Sequence, residues 1–118
     1  MMKKEIELKR EDFGPEYAGK YVFETISWGA LNQITSDSTT IDSVTRKGSI
    51  DIKKMNAKIL DQTMTERPKT VNLDALIQVH GIPGPLGEFL MDIADEVNGG
   101  SEAERERIKK LKQRCGLA

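Results

Sequence analysis

Leu86-Gly87-Glu88-Phe89-Leu90-Met91-Asp92-Ile93-Ala94-Asp95-Glu96-Val97 is the stretch on which the reading of the fold turns. Leu86, Phe89, Leu90, Ile93 and Val97 recur at steps of three and four, so a helix would gather them on one face. Glu88, Asp92 and Glu96 fall every four residues, with Asp95 beside them, and would form an acidic row. Asn98-Gly99-Gly100 ends the pattern, since these residues tolerate the left-handed conformation that stops a helix. A short helix of this kind is marginal alone, so its apolar stripe requires partners elsewhere in the chain.

Those partners lie upstream. Asn72 can cap a short helix bearing Leu73, Leu76, Ile77 and Val79, closed by Gly81. Asp51 can cap a longer one bearing Ile52, Met55, Ile59 and Leu60, expected to end near Arg67-Pro68, because proline pushes the preceding residue out of the helical region. Ser27 offers an N-cap oxygen to a helix over 28–35, where Trp28, Leu31 and Ile34 fall three apart. Core packing is the expectation for Trp28. Between these helices, Thr35-Ser36-Asp37-Ser38-Thr39-Thr40 and Asp42 through Gly48 read as the longest flexible loop, because their side chains compete for backbone hydrogen bonds. Residues 4–10 and 20–26 alternate or are rich in β-formers and read as a two-stranded antiparallel ribbon, separated by turn chemistry at Asp12–Glu16. Two strands are marginal in water, so the ribbon must lie on a helix.

Downstream, Ser101 and Glu104 have the spacing of a capping box, opening a charged helix to about Arg114. The acids Glu102, Glu104 and Glu106 lead, and Lys109, Lys110, Lys112 and Arg114 follow, an order that suits the helix dipole. Ile108 and Leu111 supply one apolar heptad step, too little for an independent coiled coil. The expected architecture is a mainly α, small helical bundle over residues 1–98 with an N-terminal two-stranded β ribbon, an α+β fold being the alternative, and a charged helical tail over 101–118.

At 118 residues with a net charge of −1, the chain is one domain without the basic excess of a general nucleic-acid binder. Aromatics are only 5%, so the core must come mostly from Ile, Leu, Val and Met. The single Cys115 excludes an intramolecular disulfide and fits a reducing compartment. The start Met1-Met2-Lys3-Lys4-Glu5 is not followed by the apolar stretch of a signal peptide, and no run approaches the ~20 apolar residues of a membrane span. A cytoplasmic location is expected.

The residues that could carry chemistry lack the company it needs. One His80 and one Cys115 would leave a zinc site dependent on carboxylates for half its ligands. Cys115 has no fixed base to activate its thiolate. Gly81-Ile82-Pro83-Gly84-Pro85-Leu86-Gly87 looks like a phosphate loop, but two of its positions are prolines without an N–H, and no Lys-Ser/Thr follows. A tight corner with Pro85 at the first helical position is the better account. The 88–96 acidic row is either a solvated face or a dock for a basic partner. The tail could be that partner, or could assemble with another protein; it has no aromatics interleaved for base stacking, so nucleic acid is a poor candidate. The residues expected to bind protein are Glu88, Asp92, Glu96, Ile108, Leu111, Lys109 and Lys112. No enzyme activity, cofactor or metal is expected.

Phe23-Glu24-Thr25-Ile26-Ser27-Trp28-Gly29, then Asn32 and Ile34, leads into a Ser/Thr/Asp loop closing on Lys47-Gly48-Ser49-Ile50-Asp51. A helix follows, then Arg67-Pro68, a capped short helix, and Leu86-Gly87-x-x-Leu90 running to Asn98. This order over residues 20–98 resembles the tail assembly chaperones of long-tailed phages and prophages. The Gly81–Gly87 corner and the tail beyond Asn98 depart from the pattern. The resemblance implies an intracellular chaperone that binds the helical tape measure protein, recruits tail tube subunits, needs no cofactor and is absent from the mature virion. Two other classes compete: a virion structural component such as a head–tail connector or neck protein, and a small nucleic-acid-associated regulator using the basic tail. Self-association is compatible with each. Adaptable methionines such as Met55, Met64 and Met91 would suit a helical client, although Met is equally an ordinary core filler.

Overall fold

Strands β1 (Lys3–Leu8) and β2 (Gly19–Glu24) form an antiparallel ribbon in the register Ile6↔Tyr21, Leu8↔Gly19. Alternation along β1 turns Lys3, Glu5 and Glu7 to solvent and Ile6 and Leu8 inward. A one-turn helix, α1 (Arg10–Phe13), and a 3₁₀ turn at Pro15–Tyr17 join the two strands. A computed structural model describes residues 2–100 and 102–117 of the chain. Ser101, expected to cap the tail helix, lies outside the described residues.

The ribbon is in fact the larger part of a three-stranded sheet, ordered β1-β2-β5, because β5 (Met64–Glu66) adds to the free edge of β2. Helix α3 (Ile52–Thr63) therefore stops three residues short of the boundary expected before Pro68. Its Asp51 cap accepts from the Lys54 N–H at 3.1 Å, as the sequence suggests. At its far end Arg67 folds back, donating to the Asp61 carbonyl at 2.9 Å and pairing with the Asp61 carboxylate. The guanidinium thus satisfies a C-terminal carbonyl that the helix leaves open, and the chain is released into the sheet, where Met64 is buried. The gain from completing β2, whose Tyr21, Val22 and Phe23 are all buried, outweighs three more residues of helix.

Helix α2 (Trp28–Asp37) starts at the Ser27 cap, which accepts from the Ala30 N–H at 3.1 Å. The expected flexible loop after it is a hairpin, β3 (Thr39–Ile41) paired with β4 (Gly48–Ile50). Asp42 accepts from the Val44 and Thr45 N–H groups at 2.8 and 3.2 Å and so builds the turn. The same Asx chemistry that reads as loop in the sequence here closes a hairpin.

Helix α4 (Leu73–Ile77) keeps its Asn72 cap, but ends before Val79, which is exposed rather than part of the helix. The chain then doubles back so closely that a Cβ on Gly81 would lie 1.8 Å from the Ala75 carbonyl oxygen. Helix α5 (Gly84–Asp95) follows, with Pro85 in its first turn. Its buried stripe is Leu86, Leu90, Ala94 and, just beyond, Val97. Phe89 and Ile93 sit at the edge of that stripe rather than its centre, Phe89 tilted against Phe13 with ring centroids 6.0 Å apart. Leu86, Leu90, Ala94 and Val97 pack with Leu8, Tyr21, Phe23, Leu60, Met64 and Val71 into one core between helix and sheet. The result is an α+β fold: helices cover a small antiparallel sheet rather than a ribbon decorating a bundle.

A kinked turn over Glu96–Gly100 leads to α6 (Glu102–Arg114), the charged tail helix. Gly99 takes φ +96°, the left-handed conformation that glycine adopts without strain. Three hydrogen bonds fix the turn. Thr25 donates to the Val97 carbonyl at 2.7 Å, and Asn98 accepts from the Ile26 N–H and donates to Thr63, each at 3.0 Å.

Candidate partner-binding surface

The residues expected to meet a partner separate into three fates. Glu96 is half-buried and pairs with Lys4 at 2.8 Å, so it ties α5 to β1. Glu88 and Asp92 are exposed and, with Asp95, form an acidic row that makes no ion pair among the described residues. Ile108, Leu111, Lys109 and Lys112 are exposed on α6, the two apolar side chains at 39% and 41%. The structure does not bring the row and the tail together. Helix α6 packs chiefly on the 96–100 turn, and its internal bond is Arg107 to Glu104 at 3.0 Å. That pairing holds the Glu104 carboxyl below its ordinary range.

Beside the acidic row runs a groove of about 400 Å³ between α3, α4 and α5. Ala57 and Leu60 line one wall, Leu76 and Ile82 the end, and Gly87 and Met91 the other wall, with Lys53 and Glu88 on the lips. Gly84 and Gly87 keep the α5 wall low, because neither carries a side chain.

Further exposed apolar side chains lie on α2 and the hairpin after it. Trp28 is 80% exposed, not packed in the core. Only Ile34 of its expected face is buried; Leu31 is also exposed. Along the adjoining hairpin Ile41 stands beside Ile50, since Thr39 pairs with Ile50 and Ile41 with Gly48, and Ile52 follows at the start of α3. All three are exposed by half or more. A signal was available: β-branched Thr39-Thr40-Ile41 and Ser49-Ile50 flank an Asp-to-Gly turn, which is hairpin spacing. Asp37 anchors the junction of α2 and α3 by accepting from Gln33 at 2.9 Å and pairing with Lys58 at 3.4 Å, and these bonds, the Gln33 one foremost, lower its carboxyl pKa.

His80 and Cys115 are both exposed, and among the described residues no group of three or more His, Cys, Asp or Glu side chains converges. No helix among them is long and apolar enough to cross a membrane. Compared with known proteins, the chain matches no family model, no curated protein and no solved structure.

Proposed function

We propose that this chain is a non-catalytic, protein-binding chaperone of phage or prophage tail assembly, acting in the host cytoplasm and absent from the finished particle. Its clients on this reading are the helical tape measure protein and the tail tube subunits it recruits. The observation that carries the reading is the exposure of large apolar side chains on three neighbouring segments: Trp28 and Leu31 on α2, Ile41 and Ile50 on the hairpin, and Ile52 at the start of α3. Apolar surface held this far from the core costs solubility, and contiguous patches of it mark interaction sites. Tryptophan is also the residue most enriched among interface hot spots. A helical client would lay its apolar face across α2 and the hairpin, in the helix-in-groove manner.

Co-expression with a tape measure protein encoded beside this chain tests the proposal. The wild type keeps that client soluble and co-purifies with it. The double variant Trp28→Ala, Leu31→Ala keeps its own melting temperature, because both side chains are exposed, yet loses at least ~30-fold in client affinity, the hot-spot range. Equal binding by variant and wild type, or this chain in purified particles at structural stoichiometry, overturns the reading.

A further inference from the structure

We propose that a second copy of this chain is the occupant of the α5 acidic face, docked through its α6 helix. The proposal does not rest on the chaperone reading and uses a different surface. Its first support is charge complementarity. Glu88, Asp92 and Asp95 are spaced by four and then three residues on the solvent side of α5, and Arg105, Lys109 and Lys112 have the same spacing on α6. At 1.5 Å rise per residue each row spans about 10 Å, so charges of opposite sign match along their whole length. Neither row is neutralised by an ion pair among the described residues.

The second support is apolar. On α6 the 100° step per residue places Arg105 and Lys112 on one flank of the Ile108–Leu111 stripe, with Arg107 and Arg114 on the other. A tail whose basic flank lies along Glu88–Asp95 would present Ile108 and Leu111 to the neighbouring groove, towards Met91, Leu76 and Ile82. The low wall left by Gly84 and Gly87 gives a helix room to approach.

The third support selects a second copy over the chain's own tail. The Thr25, Ile26 and Thr63 bonds to Val97 and Asn98 hold the turn before α6 against the body. Beyond that turn Ile108 and Arg107 stand near Met2, Thr25 and Asn98, and not over the acidic row. Folding back onto the same α5 would take α6 off the Glu96–Gly100 turn on which it packs, whereas a neighbour's tail leaves that contact in place. One short helix is a small interface, so the association is weak and salt-dependent.

Charge reversal in two separate chains provides the test. One variant carries Glu88→Lys, Asp92→Lys and Asp95→Lys; the other carries Arg105→Glu, Lys109→Glu and Lys112→Glu. Wild-type apparent mass, by light scattering, at least doubles with concentration at low salt and returns to monomer at high salt. Each variant alone stays monomeric, and an equimolar mixture recovers assembly, since each variant's tail then meets a face of opposite charge. A wild type that stays monomeric at low salt, a single variant that still assembles, or a mixture that fails to recover overturns the proposal. A second measurement needs no substitution in either row. A photo-crosslinker on Cys115, in a mixture of isotopically heavy and light wild-type chains, should join the tail of one chain to the 84–95 peptide of another. Crosslinks confined within single chains overturn it.

Discussion

Asn98 joins three elements with one side-chain amide, accepting from Ile26 at the end of the sheet and donating to buried Thr63 at the end of α3. Asn98→Ala leaves both partners short of a bond in a partly closed site, and should cost about 1–3 kcal/mol in urea melts. Leu90, fully buried in the α5 stripe, should cost more on truncation: Leu90→Ala about 2–5 kcal/mol, against Lys109→Ala within roughly 0.5 kcal/mol. If Lys109→Ala is the costlier of the two, the buried face is misplaced. Tyr21 offers a pH signature. Burial, with Tyr17 nearby, pushes its pKa up to about 12, and its hydroxyl donates to the Tyr17 carbonyl at 2.8 Å. The unfolded phenol titrates near 10, so its contribution to stability is intact below pH ~10 and is lost as pH rises towards 12, because only the unfolded state then releases the proton freely. The loss is about 3 kcal/mol at full ionisation. Tyr21→Phe should be less stable at pH 7 but show a shallower fall between pH 10 and 12, and parallel curves for the two proteins would refute this assignment.

Among the elements, α6 and the β3–β4 hairpin stand apart from the common core, and neither contributes a residue to the buried cluster. Deleting 101–118 should therefore leave a cooperative two-state melt whose midpoint shifts little, while the concentration-dependent assembly disappears. A non-cooperative melt of the truncated chain would mean that α6 is part of the folding unit. The hairpin has a different standing. Its base is closed by the Asp51 N–H to the Ser38 carbonyl at 2.8 Å, and Asp42 holds its turn. Hydrogen bonds to the Val44 and Thr45 N–H groups lower the Asp42 carboxyl pKa. Two isolated strands with an apolar face uncovered gain little from pairing alone.

On the scale of the whole molecule, the shape follows from these projections. The extents are 50 × 43 × 20 Å and the radius of gyration is 16.7 Å, against roughly 13–14 Å for a compact domain of this length. Small-angle scattering at high salt should return the larger value for the full chain. Removing 101–118 should bring it down towards ~13 Å. An unchanged radius would place the tail against the body. A thin body with a projecting hairpin and a charged tail presents much surface for its mass.

Local chemistry settles a good deal of this protein from the sequence alone. Ser27, Asp51 and Asn72 cap the helices they precede, because a side-chain oxygen three residues ahead of a free N–H needs no tertiary context. The same holds for the break in helical backbone at Asn98-Gly99, just past α5, and for the Leu86–Leu90–Val97 stripe, whose period is a property of the helix itself. What depended on distant contacts was not legible. Met64–Glu66 is strand and not helix because β2 had an open edge to fill. Trp28 points outward because the body covers α2 only around Ile34, where it packs on α3. The acidic row stays apart from the tail because α6 packs on the 96–100 turn, which Thr25, Ile26 and Thr63, far along the chain from Asn98, hold against the body.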